Sequence, residues 1–165
     1  MKPFKEIKKW FENQENLFYL FLIILIVPNV VLCFTEPMPI VAKVCNVLLP
    51  FSIYYMVMSW SRNCGRTFWI LFPFLFFGAF QIVLLYLFGQ SIIAVDMFLN
   101  LVTTNSSEAL ELLDNLIPAI VIVVLLYIPA LAVATVSVIK KRELPELFIH
   151  RERKRARLAM IAGVL

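Results

Sequence analysis

The chain has 165 residues, 62% of them hydrophobic and 16% charged, with a mean hydropathy of +0.89. Those fractions lie far outside the ordinary soluble range and exclude a water-soluble globule. The net charge of +4 and a pI near 9.1 do not point to nucleic acid, because the lysines and arginines are segregated along the chain as a membrane topology signal would be.

A basic amphipathic lead, MKPFKEIKKWFENQEN, comes first. It is followed by an apolar run over 17–34 that is long enough, at about 1.5 Å per residue, to cross most of the hydrocarbon core. No small-residue A-x-A site follows the run and more spans come after it, so it reads as an uncleaved first helix and not as a signal peptide. A second span is expected over 40–60, entered through Glu36-Pro37-Met38-Pro39, where two prolines mark a tight external turn. The loop SRNCGR, with Arg62 and Arg66, then leads into a Phe-rich third span over 67–88, a helical hairpin being the simplest connection.

Residues 89–115, GQSIIAVDMFLNLVTTNSSEALELLDN, are too apolar for a loose loop and read as an external, surface-lying amphipathic helical segment. A fourth span covers 116–139. The basic stretch over 140–157 reads as a loop. Its arginines could clamp anionic lipid, but positive charge on the inner side is expected of any such protein, with Glu143, Glu146 and Glu152 forming local helix pairs. The chain closes on LAMIAGVL over 158–165, too short to cross a bilayer that needs about 20 residues, and this reads as the truncated start of a fifth span. The expected fold is an all-α polytopic membrane helix bundle of four complete transmembrane helices plus that fragment, the front part of a longer protein.

If four spans intervene, the lysines and arginines at 2–9, 62–66 and 140–157 share one side, leaving only Lys43 on the other with Glu36, Asp96, Glu108, Glu111 and Asp114. The N-terminus is then cytoplasmic. Pro28, Pro50, Pro73, Pro118 and Pro129 fall within or beside spans, as is common in membrane helices. Cys33, Cys45 and Cys64 have no paired spacing and read as buried small apolar residues, and the single histidine, His150, has no partner to complete a metal site. The spans carry almost no ionisable residues, which weighs against an ion-coupled transporter.

In the external segment Asp96, Asn100, Thr104 and Glu108 recur every fourth position and would form a slowly turning stripe on one helix face. Such a stripe offers a carboxylate to an ammonium ion, and an amide and a hydroxyl to phosphate or glycerol. The same stretch also reads as a helix start, with Asn105 and Glu108 in capping-box spacing, and a helix N-terminus itself suits phosphate. Asn105-Ser106-Ser107 matches the glycosylation acceptor pattern, a weak signal that matters only in a eukaryotic secretory pathway.

The order of parts, together with FLNLVTTNSSEALELL in the external segment, resembles the membrane domain of the bacterial phosphoethanolamine transferases, the lipid A-modifying family that includes the mobile colistin-resistance enzymes. That family carries an Asn-x-x-x-Thr-x-x-x-Glu pattern implicated in binding the phosphoethanolamine donor, matched here by Asn100, Thr104 and Glu108. The resemblance implies a bacterial inner-membrane protein with these residues facing the periplasm, seating phosphatidylethanolamine, with Glu108 toward its ammonium. It also implies an acceptor such as lipid A or another envelope glycan. The family's zinc-bound threonine nucleophile belongs to an alkaline-phosphatase-like domain after the fifth span, so no catalytic residue, metal ligand or cofactor is expected in this chain, and Thr104 is not that nucleophile. A non-enzymatic membrane anchor or packing protein is the alternative, and a small transporter a more distant one.

Overall fold

A computed structural model of the chain describes residues 6, 9–88 and 106–164. Among the described residues the regular structure is entirely helical. The principal helices are α1 (Gln14–Thr35), α2 (Ile40–Met58), α3 (Cys64–Ile70), α4 (Phe72–Phe88), α5 (Ser106–Ile139) and α6 (Glu146–Val164). Helices α1 and α2 and residues 120–139 of α5 are long and apolar enough to cross a membrane, and α3 with α4 makes a fourth such stretch if the bent pair is one span.

Asn13 caps α1, its side-chain oxygen accepting from the Glu15 N–H at 3.0 Å, which satisfies one of the donors a helix start leaves open. The helix stops at Glu36, whose extended backbone is the conformation that a following proline, Pro37, favours. Asn63 repeats the capping device for α3, accepting from the Arg66 N–H at 2.9 Å. Pro73 then denies α4 continuity with α3. It has no N–H and its ring crowds the carbonyl four residues back, and the two pieces meet at a 61° bend around Leu71.

Helix α1 is the centre of the bundle, lying between α2 on one side and α4 on the other, while α3 and α4 pack against α5 and α6 lies along α2. Its apolar residues are buried over a broad arc, Leu17, Phe18, Phe21, Leu22 and Leu25 among them, as expected of a helix with neighbours on several sides. Phe21 stacks on Phe68 of α3 at 4.2 Å between ring centroids, and Phe18 meets Phe148 of α6 edge-on at 5.5 Å. Outside, α2 and α5 present Ile40, Val41, Leu125 and Ile128 openly, a surface compatible with a lipid solvent.

Two of the expected helices, α1 and α2, coincide with apolar runs, and three features differ. The third run is broken by the bend at Leu71. The fourth is only the later part of a helix that begins at Ser106. Only residues 140–145 are non-helical in the stretch expected as a loop, and the basic residues from Arg151 to Arg157 ride on α6. Hydropathy tracks the surrounding medium and not the backbone, and this segment is built of strong helix formers, Glu, Leu, Arg, Lys and Ala. Of the cysteines, all expected to be buried, Cys64 is, whereas Cys33 is half-buried and Cys45 is exposed on the outer face of α2.

The end of α5 is turned by Lys141, whose φ of 49° is left-handed. The Lys141 N–H donates to the Val138 carbonyl and the Arg142 N–H to the Ser137 carbonyl, the paired bonds of a Schellman stop. Leu144, fully buried, donates its N–H to the Arg62 carbonyl at 2.8 Å, tying this turn to the α2–α3 connection. Arg62 completes the tie by pairing with Glu143 and Glu146, and Arg142 pairs with Glu12. Lys9, Arg62, Arg66, Lys140 to Arg142 and the basic turns of α6 therefore gather at one end of the bundle. Lys43 is at the other end, its carbonyl accepting from Cys33 Sγ.

Candidate functional site

The sequence-derived donor site falls largely outside the described residues. Asn100 and Thr104 lie there, as do Asp96, the Asn105 cap and the side chain of Glu108. What the structure gives is the backbone at Glu108, in the first turn of α5. Helix α5 has 34 residues and so extends about 51 Å, well beyond a hydrocarbon core of about 30 Å. Its last turn is fixed at the basic end, where the Ser137 hydroxyl donates to Gln14 Oε1 at 2.6 Å, and Cys64 Sγ reaches the same oxygen at 3.4 Å. Small residues allow that contact: a Cβ on Gly65 would come within 2.5 Å of the Ala134 carbonyl oxygen, so α3 and α5 touch backbone to backbone.

A second polar constellation sits where α6 crosses the end of α2. Glu152 is a fully buried carboxylate. It accepts from the Tyr55 hydroxyl of α2, from Arg151 Nε at 3.0 Å and from Arg155 Nη1 at 3.0 Å, and Tyr19 of α1 lies close enough to favour its charged form. Burial alone raises a carboxyl pKa, but these hydrogen bonds and the Arg155 charge outweigh it and hold Glu152 below the usual carboxylate range. Arg151 is raised in turn, chiefly by its hydrogen bond to Glu152. The arginine side chains are each more than half exposed, so the pair faces solvent on one side and protein on the other.

Sequence reasoning paired the three glutamates locally. Glu152 does pair with its helix neighbours, whereas Glu143 and Glu146 reach across to Arg62. Nothing in the hydropathy separates Glu152 from the others. The available signal was a lone acid inside an arginine run, with a tyrosine near the end of an apolar span.

Farther along the bundle, Asn29 and Asn46 bond across α1 and α2, Asn29 Nδ2 to Asn46 Oδ1 at 3.2 Å and Asn46 Nδ2 to the Asn29 carbonyl at 2.9 Å. Amides that satisfy each other in this way act as glue between membrane helices. Among the described residues no group of three His, Cys, Asp or Glu side chains comes together that could hold a metal ion, so these residues do not fit a zinc site. Comparison with family models, with curated proteins and with solved structures finds no match to this chain.

Proposed function

We propose that this chain is the membrane-embedded part of a phosphoethanolamine transferase, the part that holds the donor lipid. In this reading α1, α2, the bent pair α3–α4 and the apolar length of α5 are four crossings, and α6 begins a fifth. The basic end then lies in the cytoplasm, since lysine and arginine remain on the side from which a chain inserts.

The observation that carries the reading is the continuity of α5. Ser137 is anchored at the basic end and Glu108 lies on the same helix, about 43 Å away along its axis, farther than a hydrocarbon core is thick. That continuity supports a reading in which the Asn100, Thr104, Glu108 pattern belongs to the face opposite the arginines, the periplasmic face of a bacterial inner membrane. There Glu108 pairs with the ammonium of phosphatidylethanolamine, while Asn100 and Thr104 offer an amide and a hydroxyl to its phosphate and glycerol.

This chain's part is binding and orientation, which lowers the barrier for a nucleophile held above it by fixing the donor headgroup in place. The transfer itself, to lipid A or another envelope glycan, belongs to residues outside this chain. The test is Glu108→Ala in the full-length protein in its native membrane, with lipid A modification read by mass spectrometry at equal expression. A charged hydrogen bond is worth about 1.5–3 kcal/mol, so modification falls by about 10- to 150-fold. Unchanged modification removes Glu108 from the site.

A further inference from the structure

Between the last turn of α2 and the basic turns of α6 lies a groove of about 320 Å³ lined by Met56, Ser59, Trp60, Arg153 and Arg157. That is the size of a small ligand pocket. We propose that it binds the headgroup of an anionic phospholipid from the leaflet at the basic end of the bundle.

Charge supplies the first argument. Among the described residues no acidic side chain lines the groove, and the nearest carboxylate on α6, Glu152, is buried and already held by Arg151 and Arg155. Arg153 donates Nη2 to the Trp60 carbonyl at 3.3 Å, which offsets the negative end of α2 and uses one of its five N–H donors. Arg157 has no ion-pair partner among the described residues. Two guanidinium groups without an acid suit a phosphodiester that carries net negative charge. A zwitterionic headgroup would bring an ammonium for which the groove holds no carboxylate.

The surroundings supply the second argument. Trp60 is 77% exposed at the groove's rim, the position in which an indole sits at headgroup depth. From Trp60 the same face of α2 continues through Met56 to Ile53 and Leu49, both exposed, and α6 continues from Arg157 to the exposed Ile161. A basic mouth thus opens onto two apolar stripes that acyl chains can follow, whereas a soluble phosphate would gain nothing from them.

The experiment uses the full chain purified in mild detergent, with retained lipid counted by native mass spectrometry after addition of phosphatidylglycerol or phosphatidylethanolamine. Each juxtamembrane arginine is worth about fivefold in affinity for an anionic headgroup, so Arg153→Gln with Arg157→Gln lowers phosphatidylglycerol retention by about 25-fold. Arg153→Lys with Arg157→Lys restores most of it, which separates lost charge from lost folding. The pair Arg66→Gln and Lys140→Gln removes equal charge from exposed positions at the same end and leaves retention unchanged. The proposal is overturned if the glutamine pair retains lipid like the parent, if the control pair loses as much, or if phosphatidylethanolamine is retained equally. Displacement of the lipid by millimolar inorganic phosphate also overturns it, in favour of a soluble-anion site.

Discussion

Replacing Glu152 with alanine removes the acceptor around which α1, α2 and α6 meet. The Tyr55 hydroxyl, on a residue only 8% exposed, is left without its partner at a cost of about 1–3 kcal/mol. The lost side-chain packing in a fully buried position adds about 1 kcal/mol. Arg151 and Arg155 are largely in water already and rehydrate with little net change. The total, about 2–4 kcal/mol, falls on α6, because Glu152 is its one buried charged residue. Tryptic cleavage between Arg151 and Arg157 needs that helix to open, so in detergent the Glu152→Ala chain is cut about 30- to 800-fold faster than the parent. Glu152→Gln keeps an acceptor for Tyr55 and loses about 1 kcal/mol. Cleavage of the alanine chain within twofold of the parent would refute the reasoning and leave α6 held by its buried Phe148, Ile149 and Ala156 and by the Arg62 pair with Glu146.

Two further outcomes follow from the same end of the molecule. Because Glu152 is held below its ordinary value of 4.5, its contribution to stability is present above that pH and is lost as pH falls through the lower folded value. The stability gap between the parent and Glu152→Gln, followed by thermal unfolding in detergent, therefore narrows as pH is lowered below about 4.5, and a gap that stays constant through that acid range would count against an ionised carboxylate. Gly65→Ala drives a Cβ to 2.5 Å from the Ala134 carbonyl oxygen, a backbone atom that cannot turn aside. Overpacking of this kind costs about 1–3 kcal/mol, read as an earlier thermal midpoint, and an unchanged midpoint would mean that α3 and α5 do not meet so closely.

The parts of this fold that the sequence makes legible are those in which backbone and medium change together. The runs at 17–34 and 40–60 end at prolines or polar loops, so helix and apolar stretch nearly coincide with α1 and α2. Where the two part company, the reading fails. Helix α5 begins inside a polar stretch at Ser106 and α6 begins at Glu146 among charges, and both continue because helix propensity is indifferent to the surrounding solvent. The bend at Leu71 interrupts a run whose apolar character never wavers. Glu152 is the clearest case at a candidate site, since burial of a carboxylate is decided by which helix passes beside it, and Tyr55 lies 97 residues away in sequence. Asn100 and Thr104, which carried the functional reading, lie outside the described residues and stand on the motif alone.

The length of α5 has a mechanical consequence. A helix fixed at Ser137 acts as a lever, and a tilt of about 5° at the anchor carries the backbone at Glu108 sideways by about 4 Å. Pro118 and Pro129, each lacking one rung of the hydrogen-bond ladder, are the compliant points along it. The hydroxyl-to-amide bond between Ser137 and Gln14 thus sets the aim of the opposite end of α5, and slack there is felt as lateral play at Glu108, about 43 Å away along the axis.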